Sequence, residues 1–200
     1  MNQTTYAVDN SALLYLALMR KRHTNTYRFT MTMDHEVDPE ALQQAMDRIY
    51  RRFPTIIAGF RRELLRFTVV PAASAPVVLP DPGVLIPMTK REIKTCAYRI
   101  FYSGRRISLE AFHALTDGYG AVASFTTLVA EYLRIRNHMD IPVCNTLRSL
   151  EEAPMEHELE DSYLTHQQGR PLHLPSRYAY QLPGENLDSR VYPCARDYST

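Results

Sequence analysis

Little in the composition of this chain announces a specialised chemistry. Its three cysteines, Cys96, Cys144 and Cys194, are odd in number and far apart. That excludes the close pairing of a zinc or redox motif and suits reduced thiols in a cytoplasm. Charge of one sign is lacking too: 23 basic against 22 acidic residues leave a formal +1, too weak a field to gather nucleic acid or an anionic membrane. No apolar run approaches the roughly 20 residues of a bilayer span. The longest near the start, Ala12 to Met19, follows Asp9 and precedes Arg20-Lys21-Arg22, the reverse of a secretory signal. Low-complexity tracts and a phosphate-cradling glycine loop are missing as well. A soluble cytoplasmic protein is expected, with no nucleic-acid partner and no membrane span.

What is present suffices for a core. With 45% hydrophobic and 22% charged side chains over 200 residues, the chain is globular, one domain or a large part of one. Ser11 can cap a short helix through Met19 that is apolar nearly all round, as for a helix packed on more than one side. Arg20 to His23 would be its solvated basic end. Tyr27, Phe29, Met31 and Met33 alternate with Arg28, Thr30 and Thr32, the period of a strand with one buried face, running to about His35.

The clearest helix follows. Asp38 is its N-cap, Pro39 its first residue, and Ala41, Leu42, Ala45, Met46, Ile49, Tyr50 and Phe53 make one apolar stripe before Pro54 ends it. Arg48, Arg51, Arg52, Arg61, Arg62 and Arg66 read as a solvated surface in preference to a phosphate site for an anionic cofactor. Ile56 to Val70 reads as one or two short strands, and Pro71 to Pro87 as a turn-rich connection.

Ala97 to Tyr102 and Arg106 to Ala111 form two strand-like runs joined by Ser103-Gly104-Arg105, a hairpin turn. On the second run Ile107, Leu109, Ala111 and His113 share a parity, so a regular strand brings the histidine out on the apolar face. Two readings stand at this point. In one, His113 is a core histidine satisfied by a backbone carbonyl; in the other, it is a neutral imidazole free to accept a proton. Parity alone favours the first. Beyond it, Tyr119, Val122, Phe125, Leu128, Val129, Tyr132 and Leu133 recur at helical spacing through about Arg136, with Thr116 or Asp117 as cap. Gly118 and Gly120 at the helix mouth permit close approach of a ligand or backbone.

Other chemistries find less support. His113 and Asp117 could be two metal ligands, but no third is placed by sequence, and Cys96 has no cue that would activate it against His113. From Asn137 to Thr200 periodicity fades and acidic residues gather between Glu151 and Asp161. Residues 141–200 are expected to be an extended, loop-rich arm that wraps the sheet or reaches a partner subdomain, with a short strand around Arg177 to Leu182.

The stretch His113-Ala114-Leu115-Thr116-Asp117-Gly118 resembles the second half of the His-His-x-x-x-Asp-Gly motif of an acyltransferase superfamily. That superfamily includes chloramphenicol acetyltransferase, the condensation domains of nonribosomal peptide synthesis and alcohol acetyltransferases. The order of elements is similar to their N-terminal subdomain: a first helix, a strand, the Asp38-Pro39 helix, the Arg52-Phe53-Pro54 turn leading to Ala58-Gly59-Phe60-Arg61, and a hairpin delivering the histidine. The alcohol acetyltransferase branch is the most similar, and Tyr178-Ala179-Tyr180-Gln181-Leu182-Pro183-Gly184 resembles the segment that there precedes the second subdomain.

The resemblance implies an α/β fold of the α+β two-layer kind, a chloramphenicol acetyltransferase-like half-domain with helices packed on a mixed sheet. Residues 1–140 would be the N-terminal subdomain, and residues 141–200 the arm leading to a second subdomain that lies beyond these residues. It implies His113 as general base on an alcohol or amine acceptor that attacks an acyl thioester, Asp117 as the site-shaping aspartate paired with an arginine, and Gly118 as the residue that leaves room in the channel. No cofactor is implied as tightly bound; acyl-CoA or a carrier-protein thioester is the co-substrate. Phe112 stands where the motif has its first histidine. Family members are about twice this length, so a C-terminal subdomain or partner chain is expected to complete the channel, and the 200 residues alone are expected to be weak or inactive. The alternative implied by Phe112 is a non-catalytic interaction module that keeps the fold.

Overall fold

The computed structural model describes residues 4–19, 25–63, 66–144 and 146–159. All lie in the first of two compact units, Met1–His166. The basic cluster Arg20 to His23, the strand expected around Arg177 to Leu182 and the Tyr178 to Gly184 stretch fall outside the described residues.

Capping chemistry sets where the helices begin. α1 runs Asn10–Leu18 and is capped by Asp9 rather than Ser11, the carboxylate accepting from Ala12 N at 2.6 Å; an anion at the positive end of the helix dipole is the stronger cap. Against the expectation of burial on several sides, only Ala12 of α1 is buried, and Leu13, Leu14 and Leu18 are exposed. α2 begins at Pro39 as expected, with Asp38 accepting from Glu40 N and Ala41 N, but its α-helical part ends at Ile49, before Tyr50 and Phe53 of the expected stripe. A 3-10 turn over Tyr50–Arg52 then tightens the chain before Phe53 and Pro54. A further helix, α3 at Lys90–Thr95, was not expected. Thr89 and Glu92 close a capping box around its first turn, which lets so short a segment stay helical.

The strands form two sheets. β1 (Tyr6–Ala7), β3 (Ala58–Glu63) and β4 (Arg66–Pro71) make a small antiparallel sheet in the order β1-β4-β3. β2 (Thr26–Thr32), β5 (Leu79–Pro80), β6 (Tyr98–Ser103) and β7 (Arg106–Phe112) make the second, in the order β2-β7-β6-β5. β5 lies parallel to β6 and the other pairs are antiparallel, so this sheet is mixed. The β6–β7 hairpin turns at Gly104, whose φ of +52° lies in the left-handed region that glycine adopts without cost.

α2 and α4, which spans Gly118–Asn137, pack on one face of the mixed sheet. The main core there joins Leu42, Met46 and Ile49 of α2, Ile107, Leu109 and Ala111 of β7, and Phe125 and Leu128 of α4. Ala12 of α1, Phe60, Ile93 and Phe112 build a second, smaller core. The protein is thus an α/β, two-layer α+β structure with a mixed sheet beneath its helices. Among the described residues, no helix is long and apolar enough to cross a membrane.

Candidate active site

β7 ends at Phe112, and the next three residues turn before α4 begins. Phe112 and His113 leave the strand on opposite sides. Phe112 is fully buried in the smaller core, its ring edge-on to Phe60 at 5.9 Å. An aromatic ring packs there without the unsatisfied polar atoms a histidine would bring. His113, half-buried, lines a cleft of about 750 Å³ between α1, the turn after α2 and the loop that leads into α4.

The imidazole is held by its neighbours in an unusual way. Its backbone N–H donates to Asn25 O at 2.9 Å. Tyr15 of α1 stacks on the ring at 4.6 Å with planes 15° apart, and Tyr27 of β2 meets it edge-on at 5.0 Å and 65°. Among the described residues no hydrogen bond reaches its ring nitrogens. Tyr27 also braces the loop beyond: its phenol donates to Thr116 O at 3.0 Å and to Asp117 O at 3.2 Å. Burial first, and then the Asp117 carboxylate, push that phenol far above its ordinary value, so it keeps the proton that it donates to these carbonyls.

Asp117 caps α4, accepting from Gly120 N at 2.9 Å. Among the described residues no ion pair reaches its carboxylate. Gly118 faces open space where a Cβ would go, whereas a Cβ on Gly120 would run into the Thr116 hydroxyl and lie 3.3 Å from Ile56. Close approach at the helix mouth is therefore the work of Gly120.

The far end of the cleft holds a buried ion pair. Arg52, 5% exposed, donates to both oxygens of Glu158 at 2.8 and 3.3 Å and to Ser149 O at 3.1 Å, and Arg148 reaches the same carboxylate at 2.8 Å. Burial alone would raise the Glu158 carboxyl; hydrogen bonds from Arg52 and Met155 N, with the charges of Arg52 and Arg148, hold it below the usual range. Arg52 is thus no surface residue: it ties residues 149–158 to the turn after α2. Arg48 pairs with Glu131, Arg51 lies over Tyr50 and Arg62 over Phe67.

Cys96 offers no nucleophile, because burial pushes its thiol up to about 11. No group of three or more His, Cys, Asp or Glu fit to hold a metal ion occurs among the described residues. Sequence reasoning missed Tyr15, Tyr27 and the Arg52–Glu158 pair. Tyr27 stood in plain view as an apolar-face strand residue, but nothing in its spacing pointed to His113.

No family model matches the sequence, and no curated protein matches it. Solved structures do match. A single-residue mutant of the starter condensation domain of rhizomide synthetase aligns at 14% identity and a TM-score of 0.55, over 70% of this chain and 40% of that one. The first condensation domain of the calcium-dependent antibiotic synthetase, in complex with a substrate analogue, aligns at 14% identity and a TM-score of 0.54 over the same shares. A chain of the complex of the X-domain and OxyB from teicoplanin biosynthesis aligns at 14% identity and a TM-score of 0.52, over 77% of this chain and 36% of that one. At such identities the likeness shows the fold, and the chain spans about two fifths of the length of the condensation domains it matches. The described residues carry a condensation-domain-like half-domain, the acyltransferase-type fold that the resemblance of His113 to Gly118 implies.

Proposed function

We propose that this chain supplies the base-carrying half of an acyl-transfer site, with His113 as general base, Asp117 shaping the loop and Gly118 leaving the cleft mouth open. The observation that carries the reading is the position of His113 in a condensation-like fold: at a strand end, half-buried and lining a 750 Å³ cleft, with ring nitrogens that no described residue engages. In the proposed step, an imidazole nitrogen takes the proton of an alcohol or amine acceptor as its oxygen or nitrogen attacks the thioester carbonyl. The tetrahedral intermediate collapses with loss of the thiolate, which takes the proton back from the imidazolium. An ester or amide and a free thiol remain. Acyl-CoA or a carrier-protein thioester is the donor, and a C-terminal subdomain or partner chain completes the channel.

The test is release of free coenzyme A from acetyl-CoA in the presence of primary alcohols and amines, measured on the natural full-length product. His113→Ala is expected to lose roughly 10²- to 10⁴-fold in kcat, the usual worth of a positioned base. A rate within twofold of wild type would remove His113 from the reaction. A second reading, a non-catalytic interaction module, draws on the burial of Phe112 in the core, which leaves the site without the motif's first histidine. Partner binding that ignores His113, with no acetyl-CoA bound or turned over, would favour it.

A further inference from the structure

A histidine that works as a base is ordinarily oriented by a hydrogen bond from its second nitrogen to a carboxylate or carbonyl, which also selects its tautomer. No described residue supplies that bond to His113. Its position is instead defined from three directions. Asn25 O holds its backbone at 2.9 Å, Tyr15 covers one ring face at 4.6 Å and 15°, and Tyr27 abuts the ring at 5.0 Å and 65°. Tyr27 cannot swing away freely, because its phenol is tied to the Thr116 and Asp117 carbonyls. Tyr15 stands on a helix whose one buried residue is Ala12, with Tyr15 and Leu16 partly buried against the smaller core, so the stack on His113 is one of the ties between α1 and the loop it faces. Aromatic pairs at these distances, one offset-stacked and one edge-on, are attractive beyond their buried area. A tyrosine face also favours a cation, so the stack is stronger once the imidazole has taken a proton.

We propose that Tyr15 and Tyr27 are positioning residues for His113, an aromatic clamp that orients the imidazole by its face and edge and leaves both ring nitrogens open to the cleft. The clamp stabilises the imidazolium formed as the acceptor is deprotonated, and so acts on the chemical step more than on binding. This rests on the reading of His113 as a base, but its geometry can be tested without it.

The experiment uses the natural full-length product labelled with ¹³C,¹⁵N-histidine, with His113 assigned by its loss in His113→Ala. A ring stacked on a tyrosine face has its protons shifted upfield. In Tyr15→Leu those protons are expected to move downfield toward free imidazole, and in Tyr15→Phe to stay near the wild-type position. With acetyl-CoA as donor and benzyl alcohol as acceptor, Tyr15→Leu is expected to lose about tenfold in kcat, the rate equivalent of one aromatic pair, with less than a twofold change in KM. Tyr15→Phe should recover most of that loss. Tyr15→Met, whose flexible chain fills gaps without a π-face, replaces Tyr15→Leu if the latter unfolds. Ring protons unmoved in the substituted protein would overturn the clamp, and so would a kcat that stays at the wild-type level while the ring moves. If the wild type transfers no acetyl group, the base reading fails; the ring protons then decide the clamp alone, movement supporting it and no movement overturning it.

Discussion

The two faces of the β2-β7-β6-β5 sheet are built on opposite principles, and β7 carries both in alternate residues. Toward α2 and α4 it presents Ile107, Leu109 and Ala111, each with 0% exposure. Toward the other side it presents Ser108 and Glu110, equally hidden at 2% and 0%. Glu110 lies in register with Arg28 of β2 and Arg99 of β6. It accepts from Arg28 at 2.7 and 3.0 Å and from Arg99 at 3.2 Å. Arg28 goes on to Asp81 at 2.8 Å, and Arg99 to Glu92 at 2.8 Å, so a row of five alternating charges crosses the sheet. The apolar face gains free energy by removing area from water, whatever the fine geometry of its side chains. The charged face gains little net free energy from its ion pairs, since their attraction is offset by desolvation. It does specify position: Asp81 anchors the loop that contains β5, and Glu92 anchors α3. The candidate site lies where the first principle stops. His113 continues the parity of Leu109 and Ala111 one residue beyond the strand, past the cover of the helices, and so meets a cleft in place of a core.

The contrast predicts unequal responses to substitution. Glu110→Ala leaves the guanidinium groups of Arg28 and Arg99 without their shared partner, and Arg99 is only 9% exposed. A loss of about 3 to 5 kcal/mol in unfolding free energy is expected from denaturant titration. Glu110→Gln should cost less because it can still accept one bond. A loss below about 1 kcal/mol for Glu110→Ala would mean the row is not a buried network. On the opposite face, Leu109→Ala should cost about 2 to 4 kcal/mol by lost transfer free energy and the cavity left behind. Leu109→Met, which keeps the volume, should cost under about 1.5 kcal/mol. The charged position should thus be less tolerant of truncation than the apolar one beside it, the reverse of a surface-versus-core pattern.

These two faces were unequally legible in the sequence. The apolar one declared itself through period-two spacing in Tyr27, Phe29 and Met31 and again in Ile107, Leu109 and Ala111, because burial of area leaves a periodic trace. α2 was legible for the same reason, with Asp38 and Pro39 marking its start. Glu110 reads from sequence as a solvent-facing polar residue; its burial depends on Arg28, Asp81 and Arg99, which come from other parts of the chain. α3 is too short for a period, although Thr89 and Glu92 carried its capping signal. At the site, the motif residues of the loop were visible, whereas Tyr15 and Tyr27 were not: one is an aromatic in an apolar helix, the other an aromatic in an ordinary strand. Local pattern identifies which residue could be a base, and tertiary packing decides what holds it.

The smallest expected effect lies at the rim of the charged face. Burial alone would raise the Glu92 carboxyl, but hydrogen bonds from Thr89 and Arg99, with the Arg99 charge, bring it below the ordinary glutamate range. A group whose pKa is lower folded than unfolded binds more protons in the unfolded state, so it adds stability above the unfolded value and loses it as pH falls through the folded one. The unfolded value for glutamate is about 4.3, so the contribution should be constant near neutrality and fade below about pH 4.5. Glu92 is 38% exposed at its side chain, and solvent screening limits such a pair to about 1 kcal/mol or less. Glu92→Gln should therefore lower stability modestly at pH 7 and hardly at all at pH 3, narrowing the gap between the two conditions. A gap left unchanged by Glu92→Gln would show that Glu92 contributes no charge interaction to Arg99, which keeps its bonds to Glu110 and Ile86 O, and that the charged row ends at β6 without reaching α3.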